Sequence, residues 1–384
     1  MNRENPARKK HLVSTIKERC RVCYTCVREC PAKAIKISNG QADIIPERCI
    51  GCGNCVKVCS QNAKVFRTEI EEVRLMISGK QPCAAIIAPS FPAEFSEIKN
   101  HRLLVSLIRN LGFTYVSEVA FGADLVAEEY KKLMQVGNYP PVISSDCPAI
   151  VSYIEHYHPD LVDSLAHVVS PMVAMSKAMR KRYGDDLKII FIGPCIAKKD
   201  ESELIDAALT FRELREMLTQ AGIKPADVTP TDFDPPLGGK GAIFPVSRGL
   251  LNTVGVKEDI FQRNVIVAEG RINFQEAIKE FESGQIAQEH LELLCCEGCI
   301  MGPGMSPYPF FAASSRRYRK QASVSDYVIN KLENLDVKQW EKDIEEFSSL
   351  DLFREFKKKD IRVAKPAEEE INGVLHKMGK FEPK

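Results

Sequence analysis

No apolar run in this 384-residue chain approaches the roughly 18 residues that mark a membrane-spanning helix. The first residues, Met1-Asn2-Arg3-Glu4-Asn5, lack the apolar core of a secretory signal, so the cytoplasm is the expected compartment and no membrane partner is expected. A charge excess of one sign is missing too. Lys+Arg number 53 and Asp+Glu 52, leaving +1, which gives no footing for nucleic acid or a strongly acidic substrate. Neither Gly-x-x-x-x-Gly-Lys-Ser/Thr nor a strand-linked Gly-x-Gly-x-x-Gly occurs, even in the proline- and glycine-rich stretch from Thr229 to Gly249. That stretch is expected to pack over a functional site rather than cradle a nucleotide.

Cysteine is what the chain has in quantity: 14 residues. In a reducing compartment they do not read as a disulfide framework, and tight C-x-x-C spacing then favours metal. Eight lie between Cys20 and Cys59, as Cys20-x-x-Cys23-x-x-Cys26-x-x-x-Cys30-Pro31 and again as Cys49-x-x-Cys52-x-x-Cys55-x-x-x-Cys59-Ser60. This internal repeat resembles two-cluster bacterial-type ferredoxins, in which the fourth cysteine of each run ligates the other cluster. The resemblance implies one 4Fe-4S cluster on Cys20, Cys23, Cys26 and Cys59, and a second on Cys49, Cys52, Cys55 and Cys30. Eight cysteines in this repeated order fit zinc poorly. Between the runs, Ala34–Ile37 and Ala42–Ile45 flank Asn39-Gly40, a hairpin signal. Such a module moves electrons singly and makes no bonds itself, so the domain fused to it is expected to consume or release electrons.

The expected organisation is a basic arm at 1–12, an α+β ferredoxin-like domain at 13–68, a helical connector at 69–80, an α/β domain at 81–313, and a charged helical region at 314–384. From Cys83 onward, buried-strand and helix patterns alternate, which argues for mainly parallel sheet flanked by helices. Cys83 itself reads as a buried core thiol. Asp124 is expected to cap a helix running through Leu133. Phe274, Ile278 and Phe281 share one helical face and read as core. The basic patch Ser314–Lys320 and the helices within Asp326–Lys359 read as solvated surface, and Pro366–Lys384 as a helix with no closing element, as though more chain followed.

Late in the sequence stands Leu293-Leu294-Cys295-Cys296-Glu297-Gly298-Cys299. Cys295 and Cys299 can seat half of an iron–sulfide cubane, which needs four thiolates. Two distant donors are well placed. Cys147, in Ser144-Ser145-Asp146-Cys147-Pro148, and Cys195, in Gly193-Pro194-Cys195-Ile196-Ala197-Lys198, each follow an apolar run that reads as a strand, Pro141–Ile143 and Leu187–Ile192. Loops at the carboxyl ends of parallel strands are where open α/β sheets gather ligands. Cys147, Cys195, Cys295 and Cys299 are therefore expected to converge on one cluster.

Together with the ferredoxin module, these motifs resemble the iron-only hydrogenases, from about Arg19 to Pro309. The resemblance implies a catalytic H-cluster: a 4Fe-4S cubane joined through a cysteine sulfur to a two-iron unit carrying CO, cyanide and a dithiolate. It implies cubane ligation by Cys147, Cys195 and Cys295, bridging by Cys299, and no role for Cys296. Lys198 matches the lysine that holds a cyanide ligand, and Ala88-Pro89-Ser90 the turn beside the two-iron unit, with Ser90 a further polar contact. The partners implied are dihydrogen and protons, a ferredoxin or signalling module, and the hydrogenase maturation proteins.

The sequence also departs from that family. Asp146 stands where the family has a proton-relaying cysteine; a carboxylate there can relay protons, with a pKa expected to rise beside an anionic cluster. Glu129 matches one glutamate of the proton path, but Lys132 and Ala166 replace its other members. Gly193 and Leu293 replace methionines, and Arg248-Gly249 a glycine pair. These changes imply a low-turnover or H2-sensing member, or a relative that keeps the cubane without the two-iron unit.

Overall fold

The hairpin forms where the sequence places it. β2 (Ile35–Ser38) pairs antiparallel with β3 (Gln41–Ile44), and Asn39 and Gly40 supply the two positive φ angles, 49° and 68°, that a tight hairpin turn requires. β1 (Val13–Thr15) pairs antiparallel with β4 (Lys64–Phe66), closing the small domain around its cysteine loops. The computed structural model describes residues 11–134, 140–256, 265–286, 289–307, 317–362 and 366–380. Residues 1–10 of the expected basic arm and 314–316 of the expected basic patch lie outside these.

The larger domain has two lobes. In the first, β5 (Cys83–Ile87), β6 (Tyr115–Glu118), β7 (Lys188–Gly193) and β8 (Ala207–Thr210) form a parallel sheet in the order β6-β5-β7-β8. Every residue of β5, including Cys83, is buried, as its uninterrupted apolar sequence requires of a strand covered on both faces. β5 and β7 end in register, Ile87 opposite Ile192, and the Ala88 amide donates to the Ile192 carbonyl at 2.8 Å. The turns Ala88-Pro89-Ser90 and Pro194-Cys195 therefore leave the sheet side by side.

The second lobe is built on β9 (Val265–Glu269) and β10 (His290–Leu294), paired in parallel. The expected strand at Pro141–Ile143 is reduced to Ile143, which bridges Leu291 and Leu165; the adjoining prolines cannot donate to a ladder. That contact suffices to position the next motif. The Ser144 amide donates to the Leu291 carbonyl at 2.8 Å, and the Leu293 amide to Ser144 Oγ at 2.9 Å, so Asp146-Cys147 emerges beside Leu294-Cys295. Phe274, Ile278 and Phe281 are core, packed in a cluster shared with the ferredoxin domain's Cys26, Cys30 and Ile50.

Two expectations are corrected. Asp124 does not cap a helix: the helix starts at Ala120 and runs to Leu133, and the buried Asp124 carboxylate accepts from the amides of Gly239 and Gly241 and from Trp340 Nε1. It pins the Thr229–Gly249 stretch to the helix, and burial, opposed by these donors, pushes it up to about 6. In the expected connector, helix Ile70–Ile77 sends Ile70 and Val73 into the main core. The carboxyl-terminal helices Arg317–Glu333 and Val337–Phe347 are not simply solvated. Val324, Val328 and Phe347 are buried in that core, and buried Lys320 donates to the Ile300 carbonyl at 3.1 Å. Their charged faces conceal an apolar stripe. Helix Glu368–Lys377 is exposed. Among the described residues, no helix is long and apolar enough to cross a membrane.

Candidate iron-sulfur centres and cavity

The eight ferredoxin-type cysteines fall into the two crossed sets. Burial pushes the Cys26 thiol up, and Cys59, Cys23 and Cys20 act on it as neighbouring negative groups. Burial likewise pushes Cys55 up, and its neighbours are Cys52, Cys49 and Cys30. The fourth cysteine of each run thus stands with the first three of the other. Backbone amides point at these sulfurs: Ala34 N–H donates to Cys30 Sγ and Ala63 N–H to Cys59 Sγ, each at 3.3 Å. The second set encloses a small cavity walled by Val13, Ala34, Ile35 and Ile44. All 14 cysteines are free thiols.

The ferredoxin domain docks on the larger one through residues of both cysteine runs. Lys57 Nζ donates to the Met301 carbonyl at 2.8 Å, Arg271 pairs with Glu29 at 2.6 Å, and Arg67 bridges Glu69 and Asp200 at 2.8 and 2.6 Å. The Tyr157 hydroxyl lies 2.8 and 2.9 Å from the carbonyls of Ala32 and Arg48. Across this junction the Cys52 thiol stands beside Cys295 and Cys296.

Beyond the junction, at the carboxyl ends of β5, β7 and β10, lies a mainly apolar cavity of about 100 Å³. Cys147, Cys195 and Cys299 line it, with Ala88, Pro89, Ser90, Asp146, Lys198 and Glu292. Phe244, Pro245 and Leu250 close one side, which places the glycine-rich stretch and its continuation over the site as expected. Burial pushes Cys195 up to about 12, with Cys147 adding to it; burial also raises Cys299, beside Cys147, Cys195 and Cys296. Burial raises the Cys147 thiol, opposed by the nearby Cys295 backbone amide.

The cavity's polar groups are few and specific. Ser90 Oγ and Asp146 Oδ1 are buried, each without a hydrogen-bond partner among the described residues. Burial raises Asp146 to about 7; the Lys198 ammonium opposes this and Glu201 adds to it. Among the protein's own groups, desolvation by the pocket is the largest cause. Lys198 Nζ lies 3.3 Å from the Asp146 carbonyl and pairs with Glu201 Oε2 at 2.6 Å; Glu201 in turn holds Arg354 at 3.1 Å.

Glu129 is not brought to the cavity. Helix Ala120–Leu133 turns Tyr130 inward, where its hydroxyl accepts from the Ser145 amide at 2.8 Å, while Glu129 faces outward and pairs with Lys132 at 2.7 Å. Glu292, which the sequence reading passed over, does line the cavity. Burial raises it to about 8, although it accepts from the Leu251 amide at 3.3 Å. Its signal was available: a carboxylate inside the buried strand His290–Leu294.

These residues fit an iron–sulfur group. No three thiol, imidazole or carboxyl groups among the described residues are placed to hold a single metal ion, whereas a cubane carries one iron per corner and takes donors spread around a volume. The unpartnered Ser90 and Asp146 oxygens and the Lys198 ammonium face the remaining space, where a polar or anionic ligand would satisfy them.

A two-cluster ferredoxin-like domain pressed against a thiol-lined cavity defines an iron–sulfur protein. The chain belongs to the iron-only hydrogenase large subunit, C-terminal domain family, whose pattern matches residues 81–303; a 4Fe-4S dicluster domain matches residues 12–60. It is 28% identical to the periplasmic [Fe] hydrogenase large subunit of Nitratidesulfovibrio vulgaris, over 78% of this chain and 88% of that one. It is 29% identical to iron hydrogenase 1 of Clostridium pasteurianum over 57% of this chain, but spans only about half (49%) of that protein. The cytosolic Fe-S cluster assembly factor NAR1 of Yarrowia lipolytica is 22% identical over 47% of this chain and 42% of its own length. In fold, the chain is similar to an apo [FeFe]-hydrogenase HydA1 from Chlamydomonas reinhardtii, with TM-score 0.60 and 17% identity over 76% of this chain and all of that one.

Proposed function

We propose that the chain is an iron-only hydrogenase of low turnover, or an H2 sensor, working in the cytoplasm and exchanging electrons with a ferredoxin or signalling partner. The observation that carries this reading is the convergence of thiols, Lys198 and two unpartnered oxygens on one apolar cavity beside Cys52. Cys147, Cys195, Cys295 and Cys299 would hold a cubane. Ala88, Pro89, Ser90 and Lys198 would hold the two-iron unit. When bound, this H-cluster supplies the redox metal at which dihydrogen and protons interconvert.

The chain's own residues do the rest. Lys198, held by Glu201, presents a fixed ammonium to an anionic ligand. The apolar walls keep bulk water out, which strengthens each polar contact inside. With its carboxyl near pKa 7, Asp146 can both give and take a proton at neutral pH. Two clusters on the eight ferredoxin cysteines would pass electrons across the Cys52 junction.

A second reading has support in the similarity to NAR1 and in the outward-facing Glu129. In it the chain keeps its cubanes but never receives the two-iron unit. Infrared spectroscopy after incubation with the maturation proteins separates the two. CO and cyanide stretching bands are expected, and their absence from protein with intact cubanes would sink the hydrogenase reading.

A further inference from the structure

The family pattern ends at residue 303, yet the cavity's one lysine is held from farther along the chain. Residues 351–361 form a strap. Phe353 bridges Val168 antiparallel, the Val169 amide donates to the Leu352 carbonyl at 2.9 Å, and the Arg354 amide donates to the His167 carbonyl at 3.1 Å. The His167 ring stacks on Phe353, with centroids 5.5 Å apart and planes 7° from parallel. Farther on, the strap grips helix Pro148–Tyr157, which Cys147 leads. The Lys357 amide donates to Glu155 Oε1 at 2.9 Å, the Lys359 amide to the Glu155 carbonyl at 2.9 Å, and the Ile361 amide to the His156 carbonyl at 3.1 Å.

Arg354 is thus fixed at its backbone, and its side chain reaches inward. The guanidinium lies 4.9 Å from the centre of the Phe356 ring, and Nη1 donates to Glu201 Oε1 at 3.1 Å. The Glu201 side chain is 0% exposed, so water does not orient its carboxylate. Among the described residues, Arg354 is the donor hydrogen-bonded to it. The other oxygen, Oε2, lies 2.6 Å from Lys198 Nζ but out of hydrogen-bond alignment, an attraction of charge that sets no direction. Arg354 therefore orients the carboxylate, and Lys198 meets the oxygen that Arg354 leaves free. Placed there, the lysine lines the cavity with its ammonium 3.3 Å from the Asp146 carbonyl.

We propose that Arg354 is a positioning residue of the cavity: by orienting Glu201 it holds the Lys198 ammonium toward the ligand space, so the strap completes the site from beyond the family pattern. The proposal deepens, and rests on, the reading of Lys198 as the cation that meets an anionic ligand of the two-iron unit. Arg354 itself touches no ligand. Without it, the buried Glu201 carboxylate keeps one cation instead of two, and a buried charge short of partners moves toward the one that remains. Glu201 then turns to align with Lys198, and the ammonium is drawn away from the cavity. A pair that only stabilised the strap would leave Lys198 where it is.

The test uses crystal structures of the full chain assembled with iron and sulfide, before any two-iron unit is added. Arg354→Ala should turn the Glu201 carboxylate and draw Lys198 Nζ out of the cavity by about 1 Å or more, a misplacement of the size that disables a site. Arg354→Lys, which restores a cation, should return both side chains. If Arg354→Ala does not fold, Arg354→Met keeps the stem that packs on Phe356 and removes the charge. Lys358→Ala breaks an exposed pair with Asp163 on the same strap and should move neither side chain. After incubation with the maturation proteins, Arg354→Ala should shift the cyanide stretching bands, and Arg354→Lys should bring them back. Glu201 and Lys198 unmoved in the Arg354 variants, or moved as far by Lys358→Ala, overturns the proposal, and so do cyanide bands identical with and without Arg354. Absence of bands from the unsubstituted chain counts against the hydrogenase reading instead, and the crystal structures then still decide whether Arg354 sets Lys198.

Discussion

The two halves of the ferredoxin repeat have the same cysteine spacing and nearly the same backbone, yet different neighbours. Val22 and Tyr24 in the first loop adopt φ of 50° and 60°; their counterparts in the second, Gly51 and Gly53, adopt 68° and 69°. Lys33 and Asn62 repeat the correspondence at 48° and 50°. In the first loop Cys23 is exposed and Tyr24 is 49% exposed. In the second, a Cβ on Gly53 would sit 2.6 Å from Pro303 Cγ, and Cys52 stands beside Cys295. Glycine is therefore required in the second loop for conformation and for closeness. The first loop has only the conformational demand and meets it with strained side chains. The contrast also gives the module a direction: its open loop faces solvent and its closed loop faces the cavity.

The largest expected effects test that direction. Cys52→Ala should remove the cluster at the junction and lower ferredoxin-driven H2 turnover by about 100-fold or more. Cys23→Ala should remove the outer cluster, slow exchange with the partner, and leave the cavity's infrared bands in place. A chain in which Cys52→Ala left ferredoxin-driven turnover intact would not use the second loop for delivery. On the proton side, Asp146→Ala should cost about 10²- to 10⁴-fold in turnover, the usual range for a lost general acid–base, with the same bands retained. Unchanged turnover would remove Asp146 from the relay.

Two stability effects are smaller. Glu292, raised from 4.5 to about 8, holds its proton better folded than unfolded. Its contribution is full below about pH 4.5 and is lost as pH rises through about 8, on the order of a few kcal/mol. Glu292→Gln should flatten that part of the stability-against-pH curve, measured by denaturant midpoints. Finally, Gly53→Ala should destabilise by about 2–4 kcal/mol, from the left-handed backbone and the collision with Pro303. Tyr24→Gly at the equivalent site should be neutral or stabilising by up to about 1 kcal/mol. Equal effects at the two sites would erase the contrast between the loops.

Much of this was legible beforehand because it depends on local pattern. The hairpin at Asn39-Gly40, the all-apolar β5 and the crossed cysteine runs each follow from spacing or from a conformational preference. Other features depend on what lies opposite. Asp124 looks like a helix cap in one dimension, but the helix begins four residues earlier and the carboxylate serves a loop more than a hundred residues away. Lys320 reads as solvated until its partner, the Ile300 carbonyl, is placed beside it. Glu129 and Tyr130 differ by one residue and about 100° of helix, so an alignment to a family's proton path cannot choose which of them faces inward.

The sequence by itself determined the class of chemistry, since only particular residue types at particular spacings can hold iron–sulfur clusters, and those spacings are written in the chain. The tertiary structure alone decided which groups share a space. Electrostatic and hydrogen-bond energies depend on distance and burial, not on order along the chain. That is why Asp146 and Glu292 are raised in one cavity, and why Cys52 meets Cys295 across 243 residues of sequence.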